Sequence, residues 1–193
     1  HGGNEIFTSR LEKLFTESSE ITGDNVSADI TGLIGQYAHG NEPSHHIAYM
    51  FNHANQPWRT QYWARHIMDT QYNTTPNGLS GNEDCGQMSA WYVLSSIGLY
   101  PMNPASGEYE IGSPIFEKST IKLPENKTFM IEAEYVSHTN FYIQSATLNG
   151  KPFTKTTLSH QDILKGGTLH FVMGNKPNKN WGIKNKAQQL TKK

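Results

Sequence analysis

The sequence predicts an α+β chain, with a helical first part followed by a small antiparallel β-rich region. Three observations lead there. Apolar residues recur with helical spacing through the first hundred positions. Beyond the Pro- and Gly-containing stretch 101–107, short β-type runs alternate with turn signals. The charge balance turns over at the same place. Residues 1–104 hold ten Asp/Glu against four Lys/Arg and six of the nine His, while residues 105–193 hold seven acidic against twelve basic side chains. The predicted organisation is 1–104 helical, 105–183 β-rich, and 184–193 a basic, solvated tail.

In the first part, Ile6, Phe7, Leu11, Leu14 and Phe15 mark one amphipathic helix, with Glu5, Arg10, Glu12 and Lys13 on its polar side. A Ser/Gly/Asp-rich break covers 17–29. Ile47, Met50, Phe51 and Ala54 form a second stripe, stopped by Asn55-Gln56-Pro57. Trp58, Tyr62, Trp63, Ile67 and Met68 form a third, ended by Thr74-Thr75-Pro76-Asn77-Gly78. Met88, Trp91, Tyr92, Leu94, Ser95 and Leu99 mark a fourth, with Gly98 as its stop. The predicted strands are 109–111, 119–123, 128–134, 141–148 and 168–173. Asn149-Gly150 is the strongest hairpin signal, and 157–164 reads as a short helical turn.

A net charge of −1 argues against a nucleic-acid or anionic-membrane partner. The single cysteine, Cys85, excludes an intrachain disulfide and lacks electropositive neighbours in sequence, so it reads as a small packing residue. No stretch approaches the ~18–20 apolar residues of a membrane span, and no signal peptide is visible. The chain opens at His1 inside a helical pattern, which reads as a piece of a longer protein. The sequons at Asn25, Asn73 and Asn126 are short enough to carry little weight.

One phrase occurs twice. Gly40-Asn41-Glu42-Pro43-Ser44-His45-His46 and Gly81-Asn82-Glu83-Asp84-Cys85-Gly86-Gln87 both open Gly-Asn-Glu, and both precede helix-forming runs. The helix pair predicted between them returns the second phrase to the end of the first, so carboxylate, amide and imidazole groups converge there. Such a cluster suits a polyhydroxylated ligand or a hard cation. Asp84, three residues before Gln87, has the spacing of a capping box; its alternative is a catalytic carboxylate at a helix N-terminus, kept ionised by the dipole. Glu83 is its neighbour and could substitute, or could be a surface charge. Asn41 and Glu42, ahead of Pro43, read either as a cap or as oxygen ligands for Ca²⁺. His45 and His46 read as sugar-hydroxyl partners or packing residues. Adjacent helical positions point about 100° apart, which weakens a zinc site. Trp58, Trp63 and Trp91 are core aromatics or, for one of them, a sugar-stacking platform.

The run from Asp29-Ile30-Thr31-Gly32 through Gly40-Asn41-Glu42-Pro43-Ser44-His45-His46, and the run from Gly81 to Trp91-Tyr92, resemble the signature of glycoside hydrolase family 92. The likeness extends through Gly112-Ser113-Pro114 to Gly174 and Trp181-Gly182. This family comprises calcium-dependent, inverting exo-α-mannosidases abundant in gut Bacteroidetes, with an N-terminal β-sandwich and an (α/α)₆ barrel. The resemblance implies that this chain is a C-terminal portion, carrying part of the helical barrel and the β-rich region after it. It implies that Asn41 and Glu42 help bind Ca²⁺ and that Asp84 is the general base; His45, His46 and Glu83, beside them in the two phrases, are expected to meet the substrate. Asn82 stands where some members carry a second carboxylate. The family's general acid belongs to a Glu-Gly-Asn-Ala-Trp type segment expected upstream of His1. Inverting hydrolysis needs acid and base ~6.5–9.5 Å apart, so this chain alone is expected to be inactive. The parent is expected to be a periplasmic, secreted or cell-surface α-1,2-mannosidase degrading mannose-rich N-glycans. Its partners would be a mannose-containing oligosaccharide and the rest of its own chain. The rival expectations are a non-catalytic carbohydrate-binding or scaffold module, and a zinc hydrolase built on His45-His46.

Overall fold

A computed structural model describes residues 2–27 and 30–183. The predicted basic tail at 184–193, and Asp29 at the head of the long motif, lie outside the described residues. Helix α1 (Asn4–Thr16) buries Thr8, Leu11 and Phe15. Ile6, expected in the apolar stripe, is exposed, and Thr8 takes the inward place with its hydroxyl bonded back to the Asn4 carbonyl at 2.9 Å. Phe15 stacks on Trp63 with ring centres 4.4 Å apart. A hairpin of β1 (Leu33–Ile34) and β2 (Tyr37–Ala38) then crosses the end of α1. Gly35 turns it at φ 61°, and a Cβ there would sit 2.6 Å from the Phe15 carbonyl carbon.

The second predicted stripe is a helix of 3₁₀ type, Ile47–Ala54. Its buried residues show why: Ala48, Phe51 and Ala54 repeat every third position, and so do Tyr49 and Asn52. Asn55 ends it in the left-handed region (φ 59°), and Pro57 opens α2 (Pro57–Gln71). Helix α2 buries Trp63, Ala64, Ile67 and Met68 toward the other helices. It also buries Thr60, Gln61 and Arg65. The polar residues hold the β-rich part: Ile143 N–H donates to Gln61 Oε1 at 3.0 Å, and Arg65 Nη2 donates to the Pro114 carbonyl at 2.8 Å. Helix α3 (Gln87–Ser96) buries Met88 and Trp91 and ends before Gly98 at φ 85°.

The β-rich part contains two sheets. Strands β3 (Leu99–Tyr100), β4 (Glu108–Ile111) and β9 (Thr157–Ser159) form the smaller one. The larger contains β5 (Lys118–Lys122), β6 (Thr128–Glu134), β7 (Tyr142–Leu148), β8 (Lys151–Pro152) and β10 (Gly167–Gly174), in the order β5-β6-β10-β7-β8. The short helix α4 (His160–Leu164) follows β9, capped by Ser159. Asn149 (φ 51°) and Gly150 (φ 75°) close the β7–β8 hairpin where the dipeptide predicted it. The expectation of a wholly antiparallel sheet is corrected, because β10 runs parallel to β6, with Leu169 opposite Ile131 and Phe171 opposite Ala133. That register puts Phe129, Ile131, Ala133, Leu169, Phe171 and Met173 on one face, in a core shared with Leu99, Ile111 and Leu158 of the smaller sheet. The helical part has its own core around Phe15, Tyr37, Phe51, Trp63 and Trp91. Mixed helix and sheet content agrees with the α+β expectation. The helices among the described residues do not close a barrel, and none is long and apolar enough to cross a membrane.

Candidate active site

The two Gly-Asn-Glu phrases meet at their glycines. A Cβ on Gly81 would fall on the Gly40 carbonyl oxygen and lie 2.7 Å from Gly40 Cα. A Cβ on Gly40 would in turn strike Thr31 Oγ1 and come 3.1 Å from the Ser80 carbonyl. Neither position admits a side chain, so two backbones cross in contact and carry Asn41-Glu42 and Asn82-Glu83-Asp84 away from a common point. Gly81→Ala is expected to cost about 2–4 kcal/mol of stability in a denaturant melt, from strain at φ 83° plus the clash. Gly86→Ala is the control. Gly86 is equally left-handed (φ 77°), but only Glu83 Oε1 lies near, at 3.8 Å, so strain alone should cost about 1–2 kcal/mol. Equal losses would mean that the crossing adds nothing.

At the first phrase, Asn41 precedes a 3₁₀ turn, Glu42–Ser44, with Pro43 inside it. No side chain among the described residues caps this turn, so the capping alternative for Asn41 and Glu42 is set aside. Glu42 Oε1 is buried and has no hydrogen-bond partner among the described residues, and neither do the buried hydroxyls of Thr31 and Ser80. An unpartnered buried carboxylate oxygen beside an amide is the donor chemistry that a hard cation such as Ca²⁺ takes. The described residues contain no group of three or more His, Cys, Asp or Glu able to hold a metal by themselves. Asn41 and Glu42 therefore fit as part of an oxygen shell that usually numbers about 6–8 ligands.

His45 and His46 part company. His46 is exposed, whereas His45 is 1% exposed, and both of its ring nitrogens are engaged. Nε2 bonds the His39 carbonyl at 3.0 Å, and Nδ1 faces Gln87 Nε2 at 3.4 Å. Burial pushes its pKa below the usual range, partly offset by the His39 carbonyl and Glu42. Of the two imidazoles expected to meet substrate, the structure leaves only His46 at the surface, and a paired zinc site has no geometry here. Trp91 is fully buried and its indole N–H donates to the His45 carbonyl at 3.0 Å, so it belongs to the core and not to a sugar platform.

At the second phrase, Asp84 opens a 3₁₀ turn, Asp84–Gly86, and is exposed. The predicted capping box does not form. The residue preceding α3 is Gly86, and Asp84 caps neither turn nor helix. Glu83 takes that role instead: Ser89 N–H donates to its Oε1 at 3.2 Å, and Ser89 Oγ donates to its Oε2 at 2.8 Å. Glu83 is thereby tied to the helix, Asn82 is exposed, and the Asp84 carboxylate is left to solvent. Cys85, expected to be a packing residue, is exposed and left-handed (φ 53°), because the turn that presents Asp84 needs that conformation. Next to Ser89 lies a cleft of about 490 Å³, lined by Asp69, Tyr72, Asn73, Leu79, Tyr92 and Val93 among others.

His39 and Tyr72 were not singled out in the sequence, yet they lie beneath both phrases. His39 is fully buried, with Nδ1 2.8 Å from Tyr37 Oη and Nε2 2.7 Å from Tyr72 Oη. Burial, reinforced by His45, lowers its pKa to about 3 and keeps it neutral. Burial and the nearby Glu83 charge hold the Tyr72 hydroxyl well above the usual phenol range. The available signal for His39 was its place two residues after Tyr37, on the same side of the chain as β2 (Tyr37–Ala38) ends.

With this geometry in place, the comparisons with known proteins are specific. The family model described as the glycosyl hydrolase family 92 catalytic domain matches residues 1–175. A solved GH92 α-mannosidase of Bacteroides thetaiotaomicron aligns at 44% identity and TM-score 0.85, covering 94% of this chain and 24% of that one. The same enzyme in complex with mannoimidazole aligns at 45% identity and TM-score 0.87 over the same shares. A GH92 inverting mannosidase from that organism aligns at 39% identity and TM-score 0.81, covering 95% and 26%. An uncharacterized secreted glycosidase of Arthroderma benhamiae is 37% identical over 146 residues, 74% of this chain and 19% of that protein. The chain thus spans about a quarter or less of the length of these relatives. The repeated phrase, the fold that joins its two copies and a family match over most of the sequence agree: the chain belongs to glycosyl hydrolase family 92.

Proposed function

We propose that the parent protein is a calcium-dependent, inverting exo-α-mannosidase that trims mannose-rich glycans, and that Asp84 is its general base. The observation that carries this reading is the crossing at Gly40 and Gly81. It puts an unpartnered carboxylate oxygen, Glu42 Oε1, and an uncommitted exposed carboxylate, Asp84, on loops that diverge from one point. Asp84 would take a proton from the water that attacks the anomeric carbon. Glu83, bound to Ser89, holds the turn, and Asn82 supplies an amide where a second carboxylate would otherwise stand. Asn41 and Glu42 would hold the cation, which supplies a positive centre for sugar hydroxyls. The general acid is assigned to a part of the parent outside this chain, which the chain's share of its relatives allows. The naming of solved neighbours as an α-mannosidase, seen also in complex with mannoimidazole, and as an inverting mannosidase supports the substrate class. The α-1,2 preference rests on the resemblance alone. A relative named as secreted supports placement outside the cytoplasm.

The test is hydrolysis of α-1,2-mannobiose by the full-length parent, followed by proton NMR. β-Mannose should appear first and mutarotate later, chelation should stop turnover, and calcium should restore it better than zinc. The α-anomer first would overturn inversion. Tight binding of mannobiose without turnover would make the parent a carbohydrate-binding module.

A further inference from the structure

His39 and Tyr72 sit where the two phrases must be held in register, and neither has a part in the chemistry proposed above. The hydrogen bonds among them have one consistent direction. Tyr72 Oη donates to the Met88 carbonyl at 3.1 Å, so its oxygen accepts from His39 Nε2–H at 2.7 Å. His39 Nδ1 is then an acceptor, and Tyr37 Oη donates to it at 2.8 Å. Among the described residues each of these donors is given one acceptor, so the bonds fix the ring's orientation. Aromatic contacts close the remaining sides, with His45 stacked at 4.7 Å and Trp91 edge-on at 4.5 Å.

The ends of this chain of bonds matter more than its middle. His39 immediately precedes Gly40 of the first phrase. Met88, with Gln87 and Trp91, belongs to the helix that the second phrase opens. His45, at the far end of the first phrase, meets the same helix again through Gln87 and through Trp91 Nε1. The segment carrying Asn41 and Glu42 is therefore tied at both ends, through Tyr72 at one and through His45 at the other, to helix α3, which follows the turn that presents Asp84. A buried polar network is costly unless fully satisfied. An apolar ring at His39 would remove the bonds to Tyr37 and Tyr72 and leave the first phrase tied to the second only by the glycine contact and at its His45 end.

We propose that His39 and Tyr72 are positioning residues that lock the phrase bearing Asn41-Glu42 to the phrase bearing Asp84, so that the two halves of the site keep one relative placement. This rests on the mannosidase reading for its effect on rate, but the lock itself is a property of the fold. A displacement of the base by the order of an ångström is enough to cost a hundredfold in rate.

The experiment uses the full-length parent with five variants: Tyr72→Phe, His39→Phe, His39→Gln, Phe171→Leu in the distant β core, and Asp84→Asn. Turnover, melting temperature and peptide-level amide exchange are read for each. Tyr72→Phe and His39→Phe should lower kcat ~10–100-fold at saturating calcium, with KM changed less than about threefold. Exchange should quicken in peptides covering 39–46 and 83–90 and stay unchanged over 128–134. His39→Gln, whose amide can still donate toward Tyr72, should recover much of the loss seen in His39→Phe. Phe171→Leu should lower the melting temperature and leave kcat alone. If kcat follows melting temperature across these variants, or exchange at the two phrases is unaltered, the residues are structural only and the proposal falls. If exchange quickens at both phrases while Asp84→Asn keeps full turnover, the lock stands and the assignment of the base fails.

Discussion

Asp84→Asn in the full-length parent is expected to lower kcat by about two to four orders of magnitude, the usual worth of general base catalysis, and to leave stability almost untouched. The second half of that expectation comes from the structure. The carboxylate is exposed and caps neither its own turn nor α3, and Glu83 carries the bonds that anchor the turn to the helix. A surface change away from any such bond is usually within about 0.5 kcal/mol. Loss of rate with an intact fold would thus be read as chemistry and not as misfolding. Azide makes the test sharper, because it attacks without needing a proton removed. Added azide should restore turnover of a substrate with a good leaving group, and the product should be the β-mannosyl azide, formed on the face that water would have used. Full activity in Asp84→Asn would sink the assignment, and an α-azide would place the residue on the wrong face.

What could be read in advance was whatever local sequence decides. Strand β6 buries Phe129, Ile131 and Ala133 in strict alternation, and Asn149-Gly150 supplies the left-handed pair that its hairpin needs, so both were legible. The pairing of β10 with β6 was not, because parallel partners are chosen by long-range packing and nothing in either strand names the other. The helix at Ile47–Ala54 fell between two periods. Its apolar residues fit 3.6 about as well as 3.0, and only the burial of Tyr49 and Asn52 decides for 3₁₀. In the site, the convergence of the two phrases followed from the helices between them. The division of labour inside each phrase did not. Spacing left Asp84 as cap or catalytic carboxylate and His45 as sugar partner or packing residue; the structure has Glu83 reach the helix, past a left-handed Cys85 that rotates the chain between Asp84 and α3, and has His45 buried. Side-chain direction after a strained turn is set by tertiary contact, and His39 and Tyr72 were hidden for the same reason.

Removing the charge from Glu42 is expected to separate binding of the cation from the integrity of the fold. Glu42 Oε1 is buried without a partner among the described residues, a condition that costs about 1–3 kcal/mol until something fills it. A cation that binds only the folded state would add RT ln(1 + [L]/Kd), about 2.7 kcal/mol at a hundredfold excess over Kd. The full-length parent should therefore melt at a measurably higher temperature in calcium than in chelator. In Glu42→Gln the amide keeps the shape but loses the charge, and a neutral group is cheaper to bury than a carboxylate. The variant's melting temperature in chelator should match or exceed that of wild type, while the gain on adding calcium should vanish. Activity at low calcium should be lost and return only at far higher concentration, since a hard cation depends on ligand charge for affinity. Because the melting shift is read without substrate, it stands apart from any question about Asp84. Should calcium raise the variant's melting temperature as much as it raises wild type's, Glu42 is not a ligand, and its unpartnered oxygen must serve the sugar directly.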